Sequence, residues 1–158
     1  MFYDNFKLMK YYILLFMTFL MAGCQVQDDH GKSAAEKSLT SWANAYFNFD
    51  YEKALKVMTP ESGQWLRFTA SNITQEDVDF IKQHDAQTQI EILNSQITEG
   101  DSICNAYIRV SNFIQLGNTA KDNQIIDTDE FLIQLVKRDG DWLVKTEALP
   151  RSGKQSRD

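Results

Sequence analysis

Few residues in this chain are of types that do chemistry, and their spacing limits what each can do. There are two cysteines, Cys24 and Cys104, and two histidines, His30 and His84. Cys104 lies in an alternating segment between Ile103 and Asn105. No cation or helix start stands beside it to lower a thiol pKa, so it reads as a small buried hydrophobe. Asp28, Asp29 and His30 are metal-ligand types, but three in succession cannot surround an ion, which needs spaced ligands on a held framework. His84 falls at a helix end in polar sequence. Neither histidine has a serine or cysteine nucleophile in a recognisable arrangement. The chain has no glycine-rich phosphate loop and no spaced His or Cys set, so neither a cofactor nor a metal is expected. A net charge of −6 gains nothing from a phosphate backbone, and no nucleic-acid partner is expected.

Cys24 is the residue with a definite role to read. It closes the run YYILLFMTFLMAGC, Tyr11 to Cys24, which follows Lys7 and Lys10 and is opposed only by Asp4. The run is shorter than the ~20 residues that span a bilayer. A positive start, a short apolar run and a small-residue end describe a secretory signal peptide. Met21-Ala22-Gly23-Cys24 resembles the lipobox of bacterial lipoproteins, with Met21 where that family usually has leucine. The resemblance implies that Cys24 is lipidated and is the first mature residue, holding the protein to a membrane of the cell envelope. Several acyl chains at ~0.8 kcal/mol per buried methylene make such attachment durable. An outer-membrane location follows as the expectation. Gln25-Val26-Gln27-Asp28-Asp29 also resembles the acidic export signal of surface lipoproteins in one group of Gram-negative bacteria. The plain alternative is that Asp28 and Asp29 only solvate a linker, which leaves the periplasmic and surface faces both open. Residues 1–23 are thus read as signal peptide and 24–32 as a flexible tether. Residues 33–149 form one domain, and 150–158 a polar, disordered tail.

Helices come first in the domain. Ser33-Ala34-Ala35-Glu36 has the form of a capping box, opening a helix to about Asn48 with Leu39, Trp42, Ala43, Tyr46 and Phe47 as its apolar stripe. Asp50 caps a second helix, Tyr51 to Met58. Thr59-Pro60-Glu61 starts a third, with Trp65, Leu66 and Phe68 as its apolar positions. Thr74, with Asp77 in the box position, caps a fourth that ends near His84.

From Thr88 the period becomes two. Ile90 and Ile92 fall on one face of the first strand, Leu93 and Ile97 on the other, so a bulge is expected between them. The turn Glu99-Gly100-Asp101 leads to a long second strand, Ser102 to Leu116. One face of it carries Cys104, Ala106, Ile108, Val110, Ile114 and Leu116, and Phe113 falls on the opposite face. Gly117 to Thr128 reads as a loop, with Ile125-Ile126 as an alternative strand start. Asp139-Gly140 is the preferred centre of a two-residue hairpin turn. That turn sets Leu135 opposite Val144 and Lys137 opposite Trp142, and gathers Phe131, Ile133, Leu135, Trp142 and Val144 on one face.

Helices followed by an antiparallel meander argue an α+β fold, with N-terminal helices packed on a curved antiparallel sheet. The step Asn48 to Leu55, the long second strand and the closing hairpin Leu135 to Val144 resemble the nuclear-transport-factor-2-like fold, a cone of one sheet around an N-terminal helix. A lipoprotein signal ahead of such a domain resembles small bacterial lipoproteins of unknown function in that superfamily. The superfamily includes ketosteroid isomerase-like enzymes, cyclases and dehydratases beside many non-catalytic modules. Its isomerase chemistry needs an aspartate base and a tyrosine in an apolar site, for which Tyr46 and Tyr107 are the phenols. The strand reading puts no Asp or Glu amid the main core-facing runs, which makes an enzyme the minority reading. The favoured reading is a non-catalytic module that binds a small apolar ligand or an envelope protein. Trp42, Tyr46, Trp65, Phe68 and Trp142 could line a ligand cavity; the alternative is that they simply fill the core.

Overall fold

The computed structural model describes residues 29–84, 88–98, 100 and 102–146. Four α-helices precede four strands: α1 Asp29–Phe47, α2 Tyr51–Lys56, α3 Pro60–Ser71, α4 Gln75–Gln83, then β1 Gln89–Thr98, β2 Ile103–Gln115, β3 Gln124–Arg138 and β4 Asp141–Lys145. The strands form one antiparallel sheet in the order β1-β2-β3-β4. This is the expected α+β architecture of helices on a curved antiparallel sheet.

The helix starts follow local chemistry at three of four places. Asp50 accepts from the Lys53 amide, Thr59 from the Ser62 amide with Pro60 at the first position, and Thr74 forms a full capping box with Asp77. The exception is α1. It begins at Asp29, so Ser33 and Glu36 lie inside the helix and the proposed box does not form. Glu36 has a partner across the fold instead: it accepts from the Ser95 hydroxyl at 2.5 Å, which ties α1 to β1. Residues 29–32, read as tether, are accordingly helical, while Cys24 and Asp28 lie outside the described residues, as does the polar tail.

The sheet follows the alternation with two irregularities. Leu93 is skipped between the pairs Ile92–Ile108 and Asn94–Tyr107, the bulge its neighbours' pattern requires. At Asn112 the backbone is left-handed (φ 56°), a conformation asparagine tolerates better than most residues. The alternation breaks there, and Phe113 and Ile114 are both buried. This corrects the placement of Phe113 on the outer face. The β3–β4 hairpin closes as its turn chemistry dictates. Asp139 and Gly140 have φ of 53° and 93°, and Leu135 faces Val144 and Lys137 faces Trp142. The Lys137 ammonium stands 5.9 Å from the indole centre. Ile125 and Ile126 belong to β3, which starts at Gln124 after a 3-10 turn at Ala120–Asp122.

The core lies between α1 and the inner sheet face. Leu39, Trp42 and Ala43 of α1 are wholly buried against Ala106, Ile108, Val110 and Leu135. The open edge of β4 is covered by the segment before α3. The Thr59 amide donates to the Val144 carbonyl at 2.9 Å and the Val144 amide to the Val57 carbonyl at 2.8 Å. A sheet edge so closed does not template further strands.

Candidate functional site

The five aromatic residues proposed as pocket lining divide between inside and outside. Trp42 and Trp142 are buried in the core. Tyr46 stacks on Trp42 with ring centres 5.0 Å apart, and Phe47 links this pair to Phe113 and Phe131 at 5.3 and 5.1 Å. Burial pushes the Tyr46 phenol up to about 12, and burial beside Tyr46 raises Tyr51 too. Trp65 and Phe68, by contrast, are 39% and 64% exposed on α3. Their helical spacing suggested an inward stripe, but α3 buries only Ser62, Gly63 and Leu66. The Tyr107 phenol is also outside.

One inward acid was missed. Asp129 is buried and pairs with Val110, which is itself in the core, so its carboxylate side faces the interior. The signal was present in the sequence: Asp129 is in phase with Phe131, Ile133 and Leu135. Counting the inward face only from Phe131 left it out. Asp129 accepts from the Glu130 amide at 2.8 Å. The indole N–H groups of Trp42 and Trp142 are buried with no hydrogen-bond partner among the described residues. Cys104 is buried as expected, and desolvation followed by the nearby Glu36 charge pushes its thiol up. A thiol so placed is a poor nucleophile.

The outer sheet face is built in rows, because side chains of paired residues stand side by side. One row is ionic: Arg109 of β2 bridges Glu91 of β1 and Glu130 of β3, each at 2.9 Å. The neighbouring row is apolar. It runs from Leu93, which is in phase with outward Glu91 and shares the bulge with Asn94 opposite Tyr107, through Tyr107 to its β3 partner Leu132, at 37%, 50% and 56% exposure for the three apolar residues. On the far side of this row Gln134 donates to Asn105 at 3.2 Å. Apolar side chains thus form a stripe across three strands with polar rows on both sides. Scattered exposed apolar residues need no explanation, but a contiguous row with a polar rim is the anatomy of a docking surface.

A second surface feature is a cleft of about 340 Å³ at the covered edge of β4, lined by Thr59, Glu61, Ser62, Trp65, Arg138 and Lys145 among others. Its floor is fixed by hydrogen bonds. Thr59 donates to Ser62, Ser62 donates to the Thr146 carbonyl at 2.9 Å, and the Thr146 amide donates back to the Ser62 hydroxyl at 2.8 Å. Arg138 donates to both carboxylate oxygens of Glu61, at 2.9 and 3.0 Å.

No protein-family model and no characterised protein matches the chain. Solved structures do. A protein of unknown function from Mycobacterium tuberculosis has a TM-score of 0.51 at 15% identity, over 83% of this chain and 77% of that one. An NTF-2-like protein of unknown function from Shewanella oneidensis MR-1 gives 0.48 at 13%, over 72% and 93%. A candidate polyketide cyclase from Xanthomonas campestris pv. campestris gives 0.39 at 11%, over 73% and 90%. At these identities the likeness is one of fold.

Proposed function

We propose that this chain is a lipid-anchored protein of the cell envelope, held at Cys24, whose nuclear-transport-factor-2-like domain is a non-catalytic module docking an envelope protein on its outer sheet face. The observation that carries the docking face is the row Leu93, Tyr107 and Leu132, exposed between polar rows. The support for the anchor is the apolar run ending in Met21-Ala22-Gly23-Cys24. The acids at Asp28 and Asp29 support display on the outer membrane, as an address read by transport machinery rather than an anchor.

A photo-crosslinking residue at position 107 tests the docking face in intact cells. The expected product is one discrete adduct, lost in the Leu132→Lys variant and absent when the crosslinker replaces exposed Lys56. Equal, diffuse adducts from both positions would sink the proposal. For the anchor, the mature protein should carry acyl chains on Cys24 by mass spectrometry, and Cys24→Ala should abolish them. A mature form without lipid contradicts the anchor.

A second reading rests on Asp129. An interior carboxylate, the half-buried phenols of Tyr46 and Tyr51, and two indole donors without a partner among the described residues are the groups a small apolar ligand with a polar tip would meet in an isomerase- or dehydratase-type cone. Native mass spectrometry separates the readings: a retained small molecule that Asp129→Asn releases would favour this one over protein docking.

A further inference from the structure

The exposed aromatic pair on α3 lies outside the buried core and outside the outer sheet row. We infer that Trp65 and Phe68 rest in the headgroup layer of the membrane that carries the lipid anchor, fixing the orientation of the domain. The inference rests on the reading of Cys24 as the lipidated residue. Only four residues, Gln25 to Asp28, separate Cys24 from Asp29, the first residue of α1. Fully extended, the five Cα-to-Cα steps from Cys24 to Asp29 span about 17 Å. The first turn of α1 is therefore held close to the headgroups, and so is the end of the sheet beside it.

Contacts identify that end. Glu36 bonds to Ser95 near the end of β1, which pairs there with the start of β2. The Lys137 amide donates to the Ser102 carbonyl at 2.8 Å, which places the β3–β4 hairpin at the same end. Arg138, next to the hairpin turn, grips Glu61 in the first turn of α3. Trp65 follows one turn later and lines the same cleft as Arg138 and Lys145. Phe68, three residues on, lies on the same side of the helix.

Residue chemistry selects the occupant. An indole with an apolar body and a polar N–H is suited to the boundary between acyl chains and water, and a phenylalanine beside it adds apolar depth. Arg138 and Lys145 line the same cleft as Trp65, with long stems that can lie along lipid while their charges stay wet. Exposed acids at Asp139 and Asp141 oppose a strongly anionic surface, so the match is to zwitterionic headgroups, with aromatic insertion providing the contact.

The chain contains its own reporter. It has three tryptophans, of which Trp42 and Trp142 are buried and Trp65 alone is exposed. The test is tryptophan emission of the mature lipidated protein in phosphatidylethanolamine–phosphatidylcholine vesicles, with and without brominated acyl chains. Bromination is expected to quench the Trp65 share of the emission, and Trp65→Phe should abolish the difference. In a Phe68→Trp variant quenching should increase. Equal emission in both vesicles from a protein shown by mass to be lipidated overturns this inference and leaves the anchor intact. Quenching that persists in Trp65→Phe overturns it as well. A protein without acyl chains overturns the anchor reading and this inference with it.

Discussion

The same strands present two faces under opposite constraints. On the inner face Cys104, Ala106, Ile108 and Val110 of β2 meet Phe131, Ile133 and Leu135 of β3, all buried under α1. On the outer face the intervening residues read polar, apolar, ionic: Asn105 with Gln134, Tyr107 with Leu132, Arg109 with Glu130. Every inner residue contributes to folding through removal of apolar surface, at roughly 25 cal/mol per Å². The outer residues contribute far less, because they stay wet and their ion pairs are screened. Residues the fold needs can be recognised by burial alone. Residues it does not need, but which are arranged in an ordered row, are those that call for a functional account.

The contrast can be broken most sharply in the core. Leu135→Ala should destabilise the domain by about 2–5 kcal/mol in chemical denaturation. A loss below about 1 kcal/mol, the size of a surface effect, would mean that the inner face is not the organising core. Next is the hairpin that joins β3 and β4 across both faces. Gly140→Val forces a β-branched residue to φ 93° and should cost about 1–3 kcal/mol. An unchanged thermal midpoint would contradict the turn.

Asp77 comes third. Its carboxylate accepts from Asn123 at 2.7 Å and from the Thr74 amide and hydroxyl, which together hold its pKa below the ordinary carboxylate value. A depressed folded pKa means that its stabilisation is complete above the unfolded value, near ~3.9, and is lost as pH falls through the folded value. Asp77→Ala should remove about 0.5–2 kcal/mol at neutral pH and flatten the acid side of the stability profile. A variant with the wild-type acid profile would show that Asp77 is not the titrating group. The smallest effect is expected outside: Tyr107→Ser with Leu132→Ser should shift stability by no more than about 0.5 kcal/mol each. A larger loss would make the apolar row part of the fold.

Much of this was legible in the sequence where one local rule decided the outcome. The Asp139-Gly140 turn, the Leu93 bulge and the caps at Asp50, Thr59 and Thr74 are each set by a few neighbouring residues, and each appears as read. The failures are places where a distant partner decides. Glu36 is drawn to Ser95 rather than to a helix start. A left-handed Asn112 turns Phe113 inward, against the alternation. The apolar residues Trp65 and Phe68 are left exposed, because α3 packs on Leu66 and the small residues Ser62 and Gly63. Of the residues considered as pocket lining, Trp42 and Trp142 are buried and Tyr46 is half-buried, and Asp129 could have been found by carrying the inward face of β3 back one alternation from Phe131. The outer row was not legible, since it depends on which strands pair and in what register.

The most direct test of the outer face as a docking surface is thiol accessibility at position 132. Cys104 is buried and Cys24 is the proposed lipid attachment, so a Leu132→Cys variant presents one reactive thiol. It should react fast with a maleimide reagent in the purified protein and many-fold more slowly in intact envelopes, where the partner covers it. Equal rates in both settings would contradict the account.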